Sequence, residues 1–143
     1  MSYFLRMEKI ITQVVEVKYL TETIVELHVR LIAPDILKFK AGQFMQFDVK
    51  GYFRAYSIVS VPTGFDSTLV FCIQLIDGGI GSEFVKSLKQ GQEIKMRGPL
   101  GVFGVKDKDF EREMFFVATG VGVAPFVSMI TDNPLTITNN NRS

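Results

Sequence analysis

The sequence predicts a mainly β domain, a barrel or a sandwich, that runs into the opening of an α/β unit. Three observations carry this. Between residues 10 and 100, short runs of β-branched and apolar residues recur between Gly, Pro and Asp turn signals, the spacing of an all-β fold. One helical pattern interrupts them between Ser82 and Gly91. After residue 107 the order becomes apolar run, Gly-rich turn, second apolar run, which is how a parallel α/β domain begins.

The elements follow in order. Residues 10–19 are rich in Val and Ile and read as a first strand. Residues 23–31 alternate: Val25, Leu27, Val29 and Leu31 face one way, Glu26, His28 and Arg30 the other. Ala33-Pro34-Asp35 ends that pattern, and Ala41-Gly42 turns into a strand at 43–49. Gly51 leads into a strand over 53–60, closed by Pro62-Thr63-Gly64. Residues 69–76 form a nearly continuous apolar strand broken only by Gln74. In the helix, Ser82 is the expected N-cap, Phe84, Val85 and Leu88 share a face, and Gly91 lies past the end. Lys86 and Lys89 fall late in it, where the macrodipole favours cations. Residues 93–96 make a short strand, and Arg97-Gly98-Pro99-Leu100-Gly101 reads as a tight structural turn after it.

The charged stretch 106–113 reads as a linker, so residues 1–107 form the β domain and 108–143 the start of the second. Residues 114–118 are a buried-type strand, Thr119-Gly120-Val121-Gly122 the turn, and Pro125 is preset for the first helical position of the run to Ile130. Polar, turn-prone residues follow, Asn133-Pro134 and then Asn139-Asn140-Asn141. Each added parallel strand needs a crossover of about a dozen residues. The expectation is a second domain that starts here and is not completed, exposing Phe115, Phe116, Phe126, Val127 and Ile130 and promoting self-association.

Composition narrows the function. The 143 residues are 47% hydrophobic with 13 Phe, enough for a substantial core. Sixteen basic against 15 acidic residues give no electrostatic case for nucleic acid or an anionic membrane. The single cysteine, Cys72, rules out an intrachain disulfide and a cysteine-ligated cluster, and reads as a small core residue. The single histidine, His28, reads as solvated on a polar strand face, leaving neither a metal site nor a Ser/His/Asp arrangement. Arg6, Glu8 and Lys9 interrupt any apolar leader, and no run reaches the roughly 20 residues of a membrane helix. The expected location is the cytoplasm.

The chemistry concentrates in two places. Arg54-Ala55-Tyr56-Ser57 puts a cation and a phenol on one face of a strand, with a hydroxyl next to them. The guanidinium suits a phosphate and the phenol a flat ring; the plainer reading is an Arg lying along a half-buried Tyr on a barrel surface. Gly78-Gly79-Ile80-Gly81-Ser82 opens the helix, where unpaired N–H groups and the dipole attract phosphate; the plainer reading is a flexible turn with an ordinary cap. Taken together, a cation and a helix N-terminus clamp one pyrophosphate from two sides.

These motifs, in this order, resemble the ferredoxin–NADP⁺ reductase superfamily. Arg54-Ala55-Tyr56-Ser57 matches its Arg-x-Tyr-Ser flavin motif and Gly79-Ile80-Gly81-Ser82 its Gly-x-x-Ser pyrophosphate motif. Residues 97–101 look like the segment closing its barrel, 118–125 like the first turn of its NAD(P) domain, and Gly42-Gln43-Phe44 is also family-like. The resemblance implies a six-stranded antiparallel Greek-key barrel with one capping helix, binding FAD and less often FMN. By the same analogy Tyr56 stacks on the isoalloxazine, Ser57 hydrogen-bonds near its reactive nitrogen, and both act in catalysis. Arg54, with Ala55 beside it, binds phosphate; the backbone around Ile73 and Leu75 meets the ribityl chain; Gly79, Gly81 and Ser82 hold pyrophosphate. Thr119, Gly120, Gly122 and Pro125 belong to the NAD(P)H turn, where Val121 replaces the Thr of many members. The implied activity is a flavin-dependent NAD(P)H oxidoreductase passing electrons to an iron–sulfur or haem partner, with the 143-residue chain alone incomplete for NAD(P)H activity. Two other readings stay open: a flavoprotein electron carrier without NAD(P)H activity, and a ligand-free barrel for protein contacts.

Overall fold

The structure is a computed structural model that describes residues 9–62 and 67–132. Arg6 and Glu8, the turn residues Thr63 and Gly64, and the Asn-rich segment after Asp132 lie outside the described residues. Six strands, β1 (Ile10–Tyr19), β2 (Ile24–Ala33), β3 (Phe44–Val49), β4 (Tyr52–Ser57), β5 (Thr68–Gln74) and β6 (Glu93–Leu100), form one antiparallel sheet in the order β4-β3-β6-β1-β2-β5. An Ile58–Phe71 bridge and the Val59 N–H to Val70 carbonyl bond (2.8 Å) join its two edges, closing a barrel of Greek-key connectivity. Helix α1 (Ile80–Ser87) lies between β5 and β6, and α2 (Ala124–Asp132) follows a short turn of 3₁₀ helix at Gly120–Val123.

Period-two alternation builds the core. Val25, Leu27, Val29 and Leu31 all point inward, as the β2 pattern requires, and share one core with Phe47 of β3, Phe71 of β5, and Ile94 and Met96 of β6. Phe47 and Phe71 pack edge to face at 4.9 Å. Val85 and Leu88 bring the apolar face of α1 into the same cluster.

Several sequence expectations need correction. Residues 97–101 are not a turn: β6 runs on through Leu100. Phe44 pairs with Leu100 and Gln46 with Arg97, so Gly98 and Pro99 together face Met45, a bulge that tolerates the missing proline donor. The strands at 53–60 and 69–76 stop earlier, at Ser57 and Gln74. Ser82 is not the N-cap; Gly79 is, and α1 ends before Lys89. Cys72 is not a core residue, because alternation along β5 buries Leu69, Phe71 and Ile73 and leaves Cys72 half-buried on the outer face opposite Glu26. His28, half-exposed there, bonds Glu26 at 2.8 Å.

The expected strand at 114–118 does not form among the described residues, and Phe115 is 88% exposed. A parallel strand needs neighbours to bury both faces, and none of the described residues pairs with this one. The helical half of the unit does form. Pro125 sits in the first turn of α2, and α2 docks on the barrel through buried Met129 and a Ser128 Oγ bond to the Ser60 carbonyl (2.8 Å). Phe116 and Phe126 are half-buried against each other at 4.9 Å, while Val127 and Ile130 remain exposed.

Candidate functional site

β4 carries Arg-Ala-Tyr-Ser as a short strand paired on one side with β3, Met45 facing Tyr56 and Phe47 facing Arg54. Because those partners point into the barrel, Arg54 and Tyr56 share the inner face, as the alternation predicts, while Ala55 is exposed on the other. Phe47 fixes the Tyr56 ring edge-on at a centroid distance of 4.7 Å. The Arg54 guanidinium lies alongside, donating from Nη1 to the Phe53 carbonyl at 3.0 Å. Among the described residues no carboxylate lies within ion-pair distance of it.

The start of α1 packs against this face. A Cβ on Gly81 would collide with the Tyr56 hydroxyl and stand 3.3 Å from Arg54 Cγ, so only glycine lets the helix come this close. The first intrahelical bond runs from Glu83 N–H to the Gly79 carbonyl (2.9 Å), which leaves the N–H groups of Ile80, Gly81 and Ser82 ahead of the helical ladder. Ser82 is buried and its Oγ accepts the Ile76 N–H at 2.7 Å, holding the Gly78-Gly79 turn in shape instead of capping its own helix. The stem of Arg54 therefore lies beside a helix N-terminus, and a guanidinium and a helix N-terminus both favour an anion.

Ser57 is half-buried at the end of β4, opposite Phe44. Ile73 and Leu75 send their side chains into the core, and the Leu75 N–H bonds the Thr23 carbonyl (2.7 Å). Thr119, Gly120 and Gly122 are exposed; Gly120 has φ 53°, and the Gly122 N–H closes the turn on the Thr119 carbonyl at 3.0 Å. This turn meets the barrel at Gln74, whose Oε1 would lie 3.8 Å from a Cβ on Gly120, and not at Arg54 or Tyr56. The structure thus joins Arg54, Tyr56 and Gly81 and keeps the Gly120 turn apart from them. Gln74 is the lone amide in the apolar run 69–76.

Burial raises the Tyr56 phenol above its ordinary pKa, and the Arg54 charge partly offsets that. The phenol is neutral at physiological pH and offers a π-face with a hydroxyl donor.

Residues 12–104 match the family model described as the oxidoreductase FAD-binding domain. The chain is 33% identical to a toluate 1,2-dioxygenase electron transfer component from Pseudomonas putida over 80% of its own length and 34% of that protein's. It is 36% identical to ferredoxin–NADP reductase B from Sorangium cellulosum, over 64% of this chain and 38% of that protein. A crystal structure of a ferredoxin NADP⁺ reductase from Neisseria gonorrhoeae with bound FAD and NADP superposes with a TM-score of 0.68 at 26% identity, covering 88% of this chain and 51% of that one. The chain spans about a third of the length of the curated relatives it matches. It belongs to the oxidoreductase FAD-binding domain family. The residues present fit that cofactor's charge: Arg54 has no carboxylate partner among the described residues, and its stem lies beside Gly81, where the leading N–H groups of α1 stand outside the helical ladder.

Proposed function

We propose that the chain is the FAD-binding portion of an NAD(P)H-dependent oxidoreductase that delivers electrons to an iron–sulfur or haem acceptor in the cytoplasm. The observation that carries this is the packing of Arg54 and Tyr56 together against Gly81 at the α1 N-terminus. Bound FAD supplies the redox chemistry, exchanging electron pairs with a nicotinamide and single electrons with a metal centre. The chain's own residues bind and orient. Arg54 answers the pyrophosphate charge from the strand side, and the N–H groups at Ile80, Gly81 and Ser82 answer it from the helix side. Tyr56, fixed by Phe47, presents its ring to the flavin, and Ser57 offers a hydroxyl donor at the ring edge.

The nicotinamide side rests on Thr119, Gly120, Gly122 and Pro125, whose turn opens α2 next to Gln74. Residues 1–107 act as the FAD unit and 108–143 as the beginning of the nucleotide unit. Exposed Phe115 and Val117 suit burial by further chain or by another molecule, so the isolated chain is expected to self-associate, read as a concentration-dependent sedimentation coefficient.

The direct test is purification of the chain with its visible spectrum recorded and any extracted flavin identified by chromatography. FAD is expected. A colourless protein that takes up no added FAD contradicts the proposal.

A further inference from the structure

The sequence Lys40-Ala41-Gly42-Gln43 recurs in form as Lys89-Gln90-Gly91-Gln92, and the two fold alike. In each, the Gln N–H donates to the Lys carbonyl at 3.1 Å. The Gln Oε1 returns to accept the Lys N–H, at 2.8 Å for Gln43 and 2.7 Å for Gln92. The glycine sits at positive φ, 99° at Gly42 and 89° at Gly91, which the turn requires. Both glutamines lead directly into a strand, β3 and β6. Each Gln carbonyl then takes an N–H from a neighbouring segment: Ile58 for Gln43 (3.1 Å) and Val14 for Gln92 (2.8 Å).

They differ in what surrounds them. Gln43 Nε2 also donates to the Gly101 carbonyl at 3.0 Å, tying the turn to the segment that leaves β6. A Cβ on Gly42 would collide with the Phe103 carbonyl and crowd Met129, the α2 residue docked on the barrel, whereas a Cβ on Gly91 would meet nothing within 4 Å. The residue that Gln43 holds, Ile58, directly follows Ser57. Gln92 stands past the far end of α1 from the Gly81 contact.

We propose that Gln43 is a positioning residue for Ser57. Its side chain rigidifies the turn and anchors it to Gly101, and its carbonyl, fixed in this way, holds Ile58 and with it the Ser57 hydroxyl at the flavin edge. The proposal rests on the FAD-binding reading of Ser57. Gln92 is the built-in control, because it makes the same turn with no link to the site.

The test uses Gln43→Leu, Gln43→Glu and Gln92→Leu in the full chain. Amide hydrogen exchange is read first without FAD, at Ile58 and Val14 relative to core amides such as Leu27. Gln43→Leu should speed Ile58 about five- to tenfold, the equivalent of one net hydrogen bond, and leave Val14 unchanged; Gln92→Leu should do the reverse. Gln43→Glu keeps the acceptor for Lys40 N–H and loses the donor to Gly101, so it should fall between, and it carries the test should the Leu variant not fold. With FAD bound, the visible bands and reduction midpoint should move in the Gln43 variants and stay in Gln92→Leu. Unchanged Ile58 exchange, or an equal flavin shift in Gln92→Leu, overturns the proposal. If the parent chain takes up no FAD, the functional reading fails while Ile58 exchange still decides the lock.

Discussion

The Tyr56 hydroxyl occupies the space in which a side chain at Gly81 would stand. A strand residue and a helix residue are thus fitted to each other, and the fit sets the distance between the Arg54–Tyr56 face and the α1 N-terminus. Gly81→Ala tests it. Alanine favours a helix by up to about 1 kcal/mol over glycine, whereas overpacking costs about 1–3 kcal/mol. The expected outcome is little gain or a net loss in denaturant stability, together with weaker FAD binding by fluorescence titration. A more stable variant with unchanged affinity would show that the helix is free to move away.

Arg54→Ala should weaken FAD binding by about 1.5–3 kcal/mol, the range for hydrogen bonds to a charged group. Arg54→Lys should recover only part of this, since a point charge replaces a planar fork. Isothermal titration of all three proteins measures both. Full recovery by Lys would leave a simple charge requirement.

The Tyr56 phenol should titrate above the ordinary tyrosine value of about 10 in ultraviolet difference spectra. Arg54→Ala should raise it further, because that charge lowers the pKa. The fold binds the phenolic proton more tightly than the unfolded chain does. Its contribution is complete below the ordinary Tyr pKa of about 10 and is lost as pH rises through the folded value. Tyr56→Phe should therefore lessen the loss of stability in that alkaline range.

The Cys72 thiol is raised by burial and then by the Glu26 charge across the sheet. It should react slowly with a thiol reagent at neutral pH, since the thiolate is the reactive form. Glu26→Gln should lower its pKa and speed the reaction. No change in rate on that substitution would mean that burial alone governs the thiol.

Strand order along the chain was legible because β2 alternates cleanly and the turn residues stand between runs. The joint use of Arg54 and Tyr56 was legible for the same reason, two-residue spacing on one strand. What was not legible depended on long-range partners. The Gly98-Pro99 pair looks like a turn until Met45 is placed opposite it as a bulge. Ser82 looks like a cap until the Ile76 N–H is found on its hydroxyl. Cys72 looks like core because both faces of β5 are apolar in sequence, and only pairing with β2 shows which face turns outward. Residues 114–118 have the composition of a strand, but composition does not supply the neighbour that a strand requires.

Direct titration of the flavin-free chain with FAD tests most closely whether Arg54, Tyr56 and Gly81 together form an FAD site. The expected result is saturable binding of one FAD per chain with a shifted visible spectrum, and marked loss of both in Arg54→Ala. No saturation in the parent chain, or identical curves for the parent and Arg54→Ala, would contradict it.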